Sequence, residues 1–235
     1  PPSDSAEDNL QDKSVLNIED IVRFADTVDV ELVKPLLDNQ IRCNSAIAEE
    51  GLRGDWGANV GRVLLSEFGS DIKNEARAYA AAASDARMSG CELPVVIVTG
   101  SGNQGITASV PVIRYAKHIG ASDERLYRAL LVSDLVTIHQ KTGIGRLSAY
   151  CGAVSAGCGA GAGIAYLLGG DYRAIAHTIV NAVAILSGTI CDGAKPSCAA
   201  KIASAVEAGI LGYYMYVNDQ QFRGGDGIVA KGVEN

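Results

Sequence analysis

Leu-Ser-Ala-Tyr-Cys-Gly-Ala-Val-Ser-Ala-Gly-Cys-Gly-Ala-Gly-Ala-Gly-Ile-Ala-Tyr-Leu-Leu-Gly-Gly, residues 147–170, contains no Asp, Glu, Lys or Arg, and neither do residues 174–191. About 20 apolar residues can span a bilayer. These stretches, however, are built from Gly, Ala, Ser and Cys, with few large apolar side chains and no flanking aromatic belts, so the membrane reading is set aside. The sequence instead predicts two buried helices in close contact. Gly157 and Gly161, and likewise Gly159 and Gly163, recur at four-residue spacing and let another backbone approach. Each helical glycine costs about 1 kcal/mol relative to alanine. A tight helix pair or a buried prosthetic group must compensate.

Outward from this stretch the dominant period is helical. Asn17 is placed to cap a helix with apolar Ile18, Ile21, Val22 and Ala25, and similar patterns run over residues 43–68 and the alanine-rich 72–88. Pro-Val-Val-Ile-Val, residues 94–98, is the one run that reads as a strand, followed at once by Thr-Gly-Ser-Gly-Asn-Gln-Gly. The helical signal resumes after Gly105, breaks at Gly120, restarts from Ser122 as an N-cap and pauses around Gly143 and Gly145. The expected fold is mainly α: a helical domain over residues 17–235 with buried Gly/Ala-rich helices and one or few short strands. Residues 1–16, polar and turn-rich, read as a linker or flexible segment.

With 235 residues, 48% hydrophobic and 20% charged, the chain can bury a sizeable core. A net charge of −7 and a pI near 5.0, without a basic run, argue against nucleic acid or an anionic membrane as partner and favour a small molecule or a protein. Six cysteines at scattered spacings, with no signal peptide, read as reduced cytoplasmic thiols. Some are then expected to be ligands. Cys191 and Cys198 bracket a helix-breaking Asp-Gly-Ala-Lys-Pro-Ser turn, and Cys151 comes from another element. Three thiolates can hold an iron-sulfur cube by three corners. Against this stands the common fate of free cysteine as a small buried hydrophobe, the reading adopted for Cys43, Cys91 and Cys158. A zinc site with His177 as fourth ligand is a further alternative, although the spacing matches no common zinc module.

The second constellation is the glycine-rich loop Ser101, Gly102, Asn103, Gln104, Gly105 ahead of Ile106. Its backbone N–H groups at a helix start suit a phosphate or carboxylate, and the two amides add directional donors. It lacks the Lys-Ser/Thr of a nucleotide-binding P-loop and the spacing of a dinucleotide loop, which disfavours nucleotides. Lys195 is a candidate to balance cluster or substrate charge. His118, His139 and His177 read as surface or core histidines, and Asn44 and Glu50 share a helix but face apart.

Three segments carry a resemblance: Ser-Gly-Asn-Gln-Gly-Ile-Thr-Ala-Ser-Val-Pro-Val (101–112), Arg-Leu-Ser-Ala-Tyr-Cys-Gly-Ala (146–153) and Ser-Gly-Thr-Ile-Cys-Asp-Gly-Ala-Lys-Pro-Ser-Cys-Ala-Ala-Lys-Ile (187–202). Together they closely resemble the L-cysteine desulfidase family, related to the iron-sulfur L-serine dehydratase alpha chain, from about Asn44 to Val233. The resemblance implies a mainly helical iron-sulfur catalytic domain in which Cys151, Cys191 and Cys198 ligate a 4Fe-4S cluster and residues 101–105 help bind the amino acid. The implied reaction converts L-cysteine to sulfide, pyruvate and ammonia without pyridoxal phosphate. The alternatives are L-serine dehydration and a helical metal-binding domain without turnover. Members of that family are roughly twice this length and begin with a region carrying Gly-Cys-Thr-Glu-Pro, which this sequence lacks. The expectation is therefore a piece of a longer enzyme, with the general base in the absent region and either a homodimer or association with that region.

Overall fold

The computed structural model describes residues 15–145 and 148–234. The linker expected over residues 1–16 falls outside the described residues except for Val15 and Leu16, as do Arg146 and Leu147 of the second resemblance segment. The described chain is mainly α. Its helices are α1 (Ile18–Thr27), α2 (Val30–Arg53), α3 (Val60–Phe68), α4 (Ile72–Met88), α5 (Gly102–Ile119), α6 (Asp123–Ile144), α7 (Gly152–Leu167), α8 (Tyr172–Ile185) and α9 (Cys198–Val217). Among the described residues no helix is long and apolar enough to cross a membrane.

Local chemistry sets the boundaries where the sequence placed them. The Asn17 side chain accepts the Asp20 N–H at 2.9 Å, and Ser122 caps α6 through the Arg125 N–H. Gly120 ends α5 in the left-handed region at φ 64°, where an L side chain would be strained. One expected helical run, residues 43–68, is two helices. The chain leaves α2 at Gly54 and re-enters at Val60, and the buried Asp85 carboxylate accepts the Val60 N–H at 2.7 Å and the Ala58 N–H at 3.3 Å. Asp85 on α4 thus caps α3 from outside, since Asn59 makes no side-chain cap bond.

The expected strand over residues 94–98 does not form a sheet. The segment is extended, but the Asn44 carboxamide on α2 takes both polar groups of Val96. Its Oδ1 accepts the Val96 N–H at 2.8 Å, and its Nδ2 donates to the Val96 carbonyl at 3.2 Å. A β-branched run reads as a strand from its residues alone. Here one side chain stands where a ladder partner would be. Only isolated bridges remain among the described residues, Val98 with Ser101 and Tyr150 with Ile190.

The charge-free stretch becomes α7, in which every residue but Val154 and Tyr166 is buried. It contacts α5, α6, α8 and α9. The two glycine pairs face different neighbours. A Cβ on Gly157 would lie 2.5 Å from the Ala205 carbonyl, and one on Gly161 would lie 2.7 Å from the Gly209 Cα, both on α9. Gly159 and Gly163 instead meet the Ser133 and Ala129 carbonyls of α6, at 2.5 and 2.8 Å. The second charge-free helix, α8, touches α7, yet its own close approach is to α9, where Gly212 faces the Thr178 carbonyl at 2.7 Å.

These pairings also fix direction. Residue 157 meets 205 and 161 meets 209, so α7 and α9 run parallel. On α5, Gln104 meets Gly152 and Val112 meets Gly163, so α5 runs the same way. Three helices therefore start at the same end of the molecule.

Between α2 and α6, Gln40 Nε2 donates to Asp134 Oδ1 at 3.1 Å, while Gln40 Oε1 is buried without a partner. Burial pushes the Asp134 carboxyl up to about 7. The folded state then holds a proton that the unfolded state gives up above about pH 4, so stability falls as pH rises from about 4 to 7. Unfolding free energies from denaturant titration across that window should decline by about 1–3 kcal/mol in the natural protein and stay level in Asp134→Asn. The α7–α9 contact gives a second expectation. Gly161→Val should cost about 3 kcal/mol or more by overpacking. Gly143→Ala, with nothing within 4 Å of the added methyl, should be neutral or stabilise by up to about 1 kcal/mol.

Candidate functional site

The glycine-rich constellation opens with a two-residue turn. Thr99 (φ 50°) and Gly100 (φ 82°) are both left-handed, and Val98 and Ser101 exchange both backbone hydrogen bonds across them, at 3.3 and 3.1 Å. Left-handed backbone at a threonine is strained. The turn places its hydroxyl on Gln104, to whose Oε1 it donates. Gly102 to Gly105, expected as a loop ahead of the helix, are instead the first turn of α5, and Ser101 makes no side-chain cap bond. Gly105 is required here because a Cβ would run into the Val96 carbonyl. Asn103 and Gln104 are 7% and 8% exposed, so this helix start is a built interior surface.

The cysteine constellation assembles around a short antiparallel pairing. The Cys151 N–H donates to the Thr189 carbonyl at 3.0 Å and the Cys191 N–H to the Ala149 carbonyl at 2.7 Å. After Cys191 the chain turns through Gly193 at φ 94°, and the Cys198 N–H donates to the Lys195 carbonyl at 2.9 Å as α9 begins. Cys151 precedes α7 and Cys198 opens α9, so the parallel run of the two helices brings these residues level. Cys151 is buried, Cys198 half-buried and Cys191 exposed, and all three are free thiols. Burial pushes the Cys151 thiol up, and nearby Cys191 and Cys198 push it the same way, while the Ala153 N–H and Lys201 pull it down. The three sulfurs thus share one electrostatic neighbourhood.

Lys195 is exposed on the turn. Lys201 is the lysine bound into the site: its Nζ donates to Asp192 Oδ1 at 2.6 Å and to the Ile190 carbonyl at 3.1 Å, tying the Cys191 segment to α9. Asp192 raises Lys201 and Lys201 lowers Asp192, with Cys151 and Cys198 adding to the lysine's rise. As the side chains stand, no three His, Cys, Asp or Glu among the described residues close into a metal-holding group. The donor chemistry nevertheless fits an iron-sulfur cluster. Three free thiols gather where helices α7 and α9 begin, and cysteine sulfur is the donor that holds such a cluster. His177, the candidate fourth zinc ligand, is on α8, stacked on Tyr216 with ring centroids 5.3 Å apart. Cys43 and Cys158 are buried, as expected of small hydrophobes, and Cys91 is half-buried.

The two constellations meet at Gly152. A Cβ there would sit 2.5 Å from Gln104 Nε2, so the residue after Cys151 must be glycine for Gln104 to occupy its place. A cavity of about 680 Å³ opens beside Cys151, lined among others by Tyr150, Ser187, Thr189 and apolar Val154, Ile179 and Val183. Sequence reasoning assigned no role to Thr99, Arg87 or Lys201, and weighed Asn44 only as a partner of Glu50. Lys201 lies inside a quoted motif, and Thr99 precedes a glycine in a turn, but nothing local marks Arg87 or Asn44.

The family model described as serine dehydratase alpha chain matches residues 7–235. The chain belongs to the serine dehydratase alpha chain family. The match includes the turn at Thr99, the Cys151 pairing and the start of α9. A UPF0597 protein of Desulfitobacterium hafniense is 66% identical over 232 residues, covering 99% of this chain and 54% of its own length. UPF0597 proteins of Lachnoclostridium phytofermentans and Fusobacterium nucleatum are 54% and 47% identical, each covering 96% of this chain and 54% of their own lengths. This member of the serine dehydratase alpha chain family thus spans about half the length of the curated relatives it matches. No solved structure matches it.

Exposure and burial order the thiols. Timed alkylation of the metal-free protein with mass mapping should label Cys191 first and Cys158 last, because Cys158 is 2% exposed and burial pushes its thiol up to about 12.

Proposed function

We propose that this chain is the cluster-bearing part of a β-eliminating lyase that acts on L-cysteine. The observation that carries the reading is the shared start of α5, α7 and α9, which sets three free thiols beside an uncapped helix N-terminus with two buried amides. Cys151, Cys191 and Cys198 would hold a 4Fe-4S cluster, and an iron left unligated by protein would supply a Lewis acid for the leaving group. The first turn of α5, with Asn103 and Gln104, binds the polar head of the amino acid. Thr99 holds Gln104 in place, and Lys201 ties the Cys191 segment to α9 through Asp192. The elimination breaks Cα–H and Cβ–S and forms Cα=Cβ. The resulting aminoacrylate takes up water to give pyruvate and ammonia. We assign the α-proton to no residue of this chain.

The resemblance of residues 101–112, 146–153 and 187–202 to L-cysteine desulfidases supports cysteine as substrate. L-serine is the second reading, favoured by the family description. The same site would then release hydroxide instead of sulfide.

Anaerobic reconstitution of the full-length protein should bind about four irons per chain with broad absorbance near ~400 nm. Sulfide released from L-cysteine, set against pyruvate formed from L-serine, decides the substrate. Cys198→Ala should lose at least ~100-fold in turnover together with most of the iron. A folded full-length protein that takes up no iron would overturn the reading.

A further inference from the structure

Arg87 lies in the last turn of α4 and reaches the start of α5. Its Nη1 donates to Asn103 Oδ1 at 3.2 Å and lies 3.9 Å from the Met88 sulfur. The guanidinium covers Gly102, where an added Cβ would sit 2.9 Å from Cζ and 2.7 Å from Val95 Cγ2. Arg77, Arg114 and Arg128 are paired with Glu207, Glu75 and Glu124. Among the described residues no carboxylate lies within 4 Å of Arg87. The negative end of α4 offsets part of the Arg87 charge, but the guanidinium also presses against the positive end of α5 with no carboxylate between them, an arrangement that an anion would relieve. The neighbouring amides point the same way. Asn103 and Gln104 are each more than nine-tenths buried, and their oxygens are occupied by Arg87 and Thr99. Their amide nitrogens make no hydrogen bond to a described residue and remain as donors.

We propose that Arg87 is the carboxylate-binding residue of this site, taking the α-carboxylate of the amino acid between its guanidinium and the first-turn N–H groups of α5. The identity of the anion rests on the amino-acid lyase reading. A planar guanidinium matches a carboxylate in two parallel hydrogen bonds, which an ammonium cannot reproduce. With the carboxylate held at α5, the amino acid's β-substituent can extend toward Gly152 and Cys151, the side on which Gln104 meets α7. Arg87 therefore discriminates α-amino acids from amines of the same length.

The test uses the full-length protein and its Arg87→Gln and Arg87→Lys variants. Steady-state kinetics are measured on L-cysteine, with L-alanine as an inhibitor that has the carboxylate but no leaving group, and cysteamine as one that has the thiol but no carboxylate. Arg87→Gln should raise KM for L-cysteine and weaken L-alanine inhibition by about 10- to 100-fold, with kcat within about 3-fold. Arg87→Lys should recover part of the loss, and inhibition by cysteamine should not change. An unchanged KM and unchanged L-alanine inhibition in Arg87→Gln would overturn the proposal, and so would an equal weakening of cysteamine, which marks a merely structural role. Should the natural protein release neither sulfide nor pyruvate, calorimetric binding of L-alanine replaces KM. Arg87-dependent binding then keeps the carboxylate site and discards the lyase reading, whereas no binding overturns both.

Discussion

Backbone contact between α7 and its neighbours is the constraint on which the rest depends. A helix with glycine at 157, 159, 161 and 163 is a poor helix in isolation, because each glycine leaves the unfolded chain more freedom than alanine would. Close packing returns that stability through dispersion contacts that a side chain on either face would prevent. Gly157 and Gly161 seat on α9, and Gly159 and Gly163 seat on α6. The register of these seats sets direction as well as distance. Because α9 and α5 both run parallel to α7, Ser101, Cys151 and Cys198 arrive at one end of the molecule, although they are far apart in sequence.

That end gathers positive charge in a chain whose formal charge is −7. The N-terminal turns of three helices, the Arg87 guanidinium and the Lys201 ammonium all belong to it, the last offset by Asp192. Two forces oppose each other at Cys151. Burial and the neighbouring thiols disfavour its thiolate, whereas Lys201 and the Ala153 N–H favour it. In the thiol form burial leads, so the group stays protonated until something removes the proton. Ligation in the proposed cluster would do so, since a coordinating thiol is deprotonated outright. The proposed anionic occupant and soft ligation both draw on this one end, whose groups come from α4, α5, α7, α9 and the loops that precede them.

Much of this was legible from local pattern. The caps at Asn17 and Ser122, the stop at Gly120, the limits of α4 and the need for close backbone approach at the four glycines all follow from rules acting within one or two helical turns. The readings that moved were those in which a distant side chain overrides a local one. Asn44 replaces the strand partner that residues 94–98 lack, and Asp85 supplies a cap for α3 that interrupts an apparently continuous helical period. In the site, the cysteines and the glycine-rich turn stand out by residue type and spacing. Arg87 and Lys201 do not, because an arginine or lysine near a helix end is ordinarily solvated.

By itself the sequence determined the mainly helical class, most helix limits, the burial of the charge-free stretch and the two sets of chemically distinctive residues. Each of these depends on periodicity, capping or composition, which are properties of neighbours along the chain. Only the tertiary structure decided that α5, α7 and α9 run parallel, that Gln104 meets Gly152, that the Cys191 segment pairs back to the segment before α7 through Tyr150 and Ile190, and that Arg87 faces the start of α5 with no carboxylate of a described residue within 4 Å. These depend on which backbone seats in which glycine gap. That choice is made by packing across the whole core, and no window of sequence contains it.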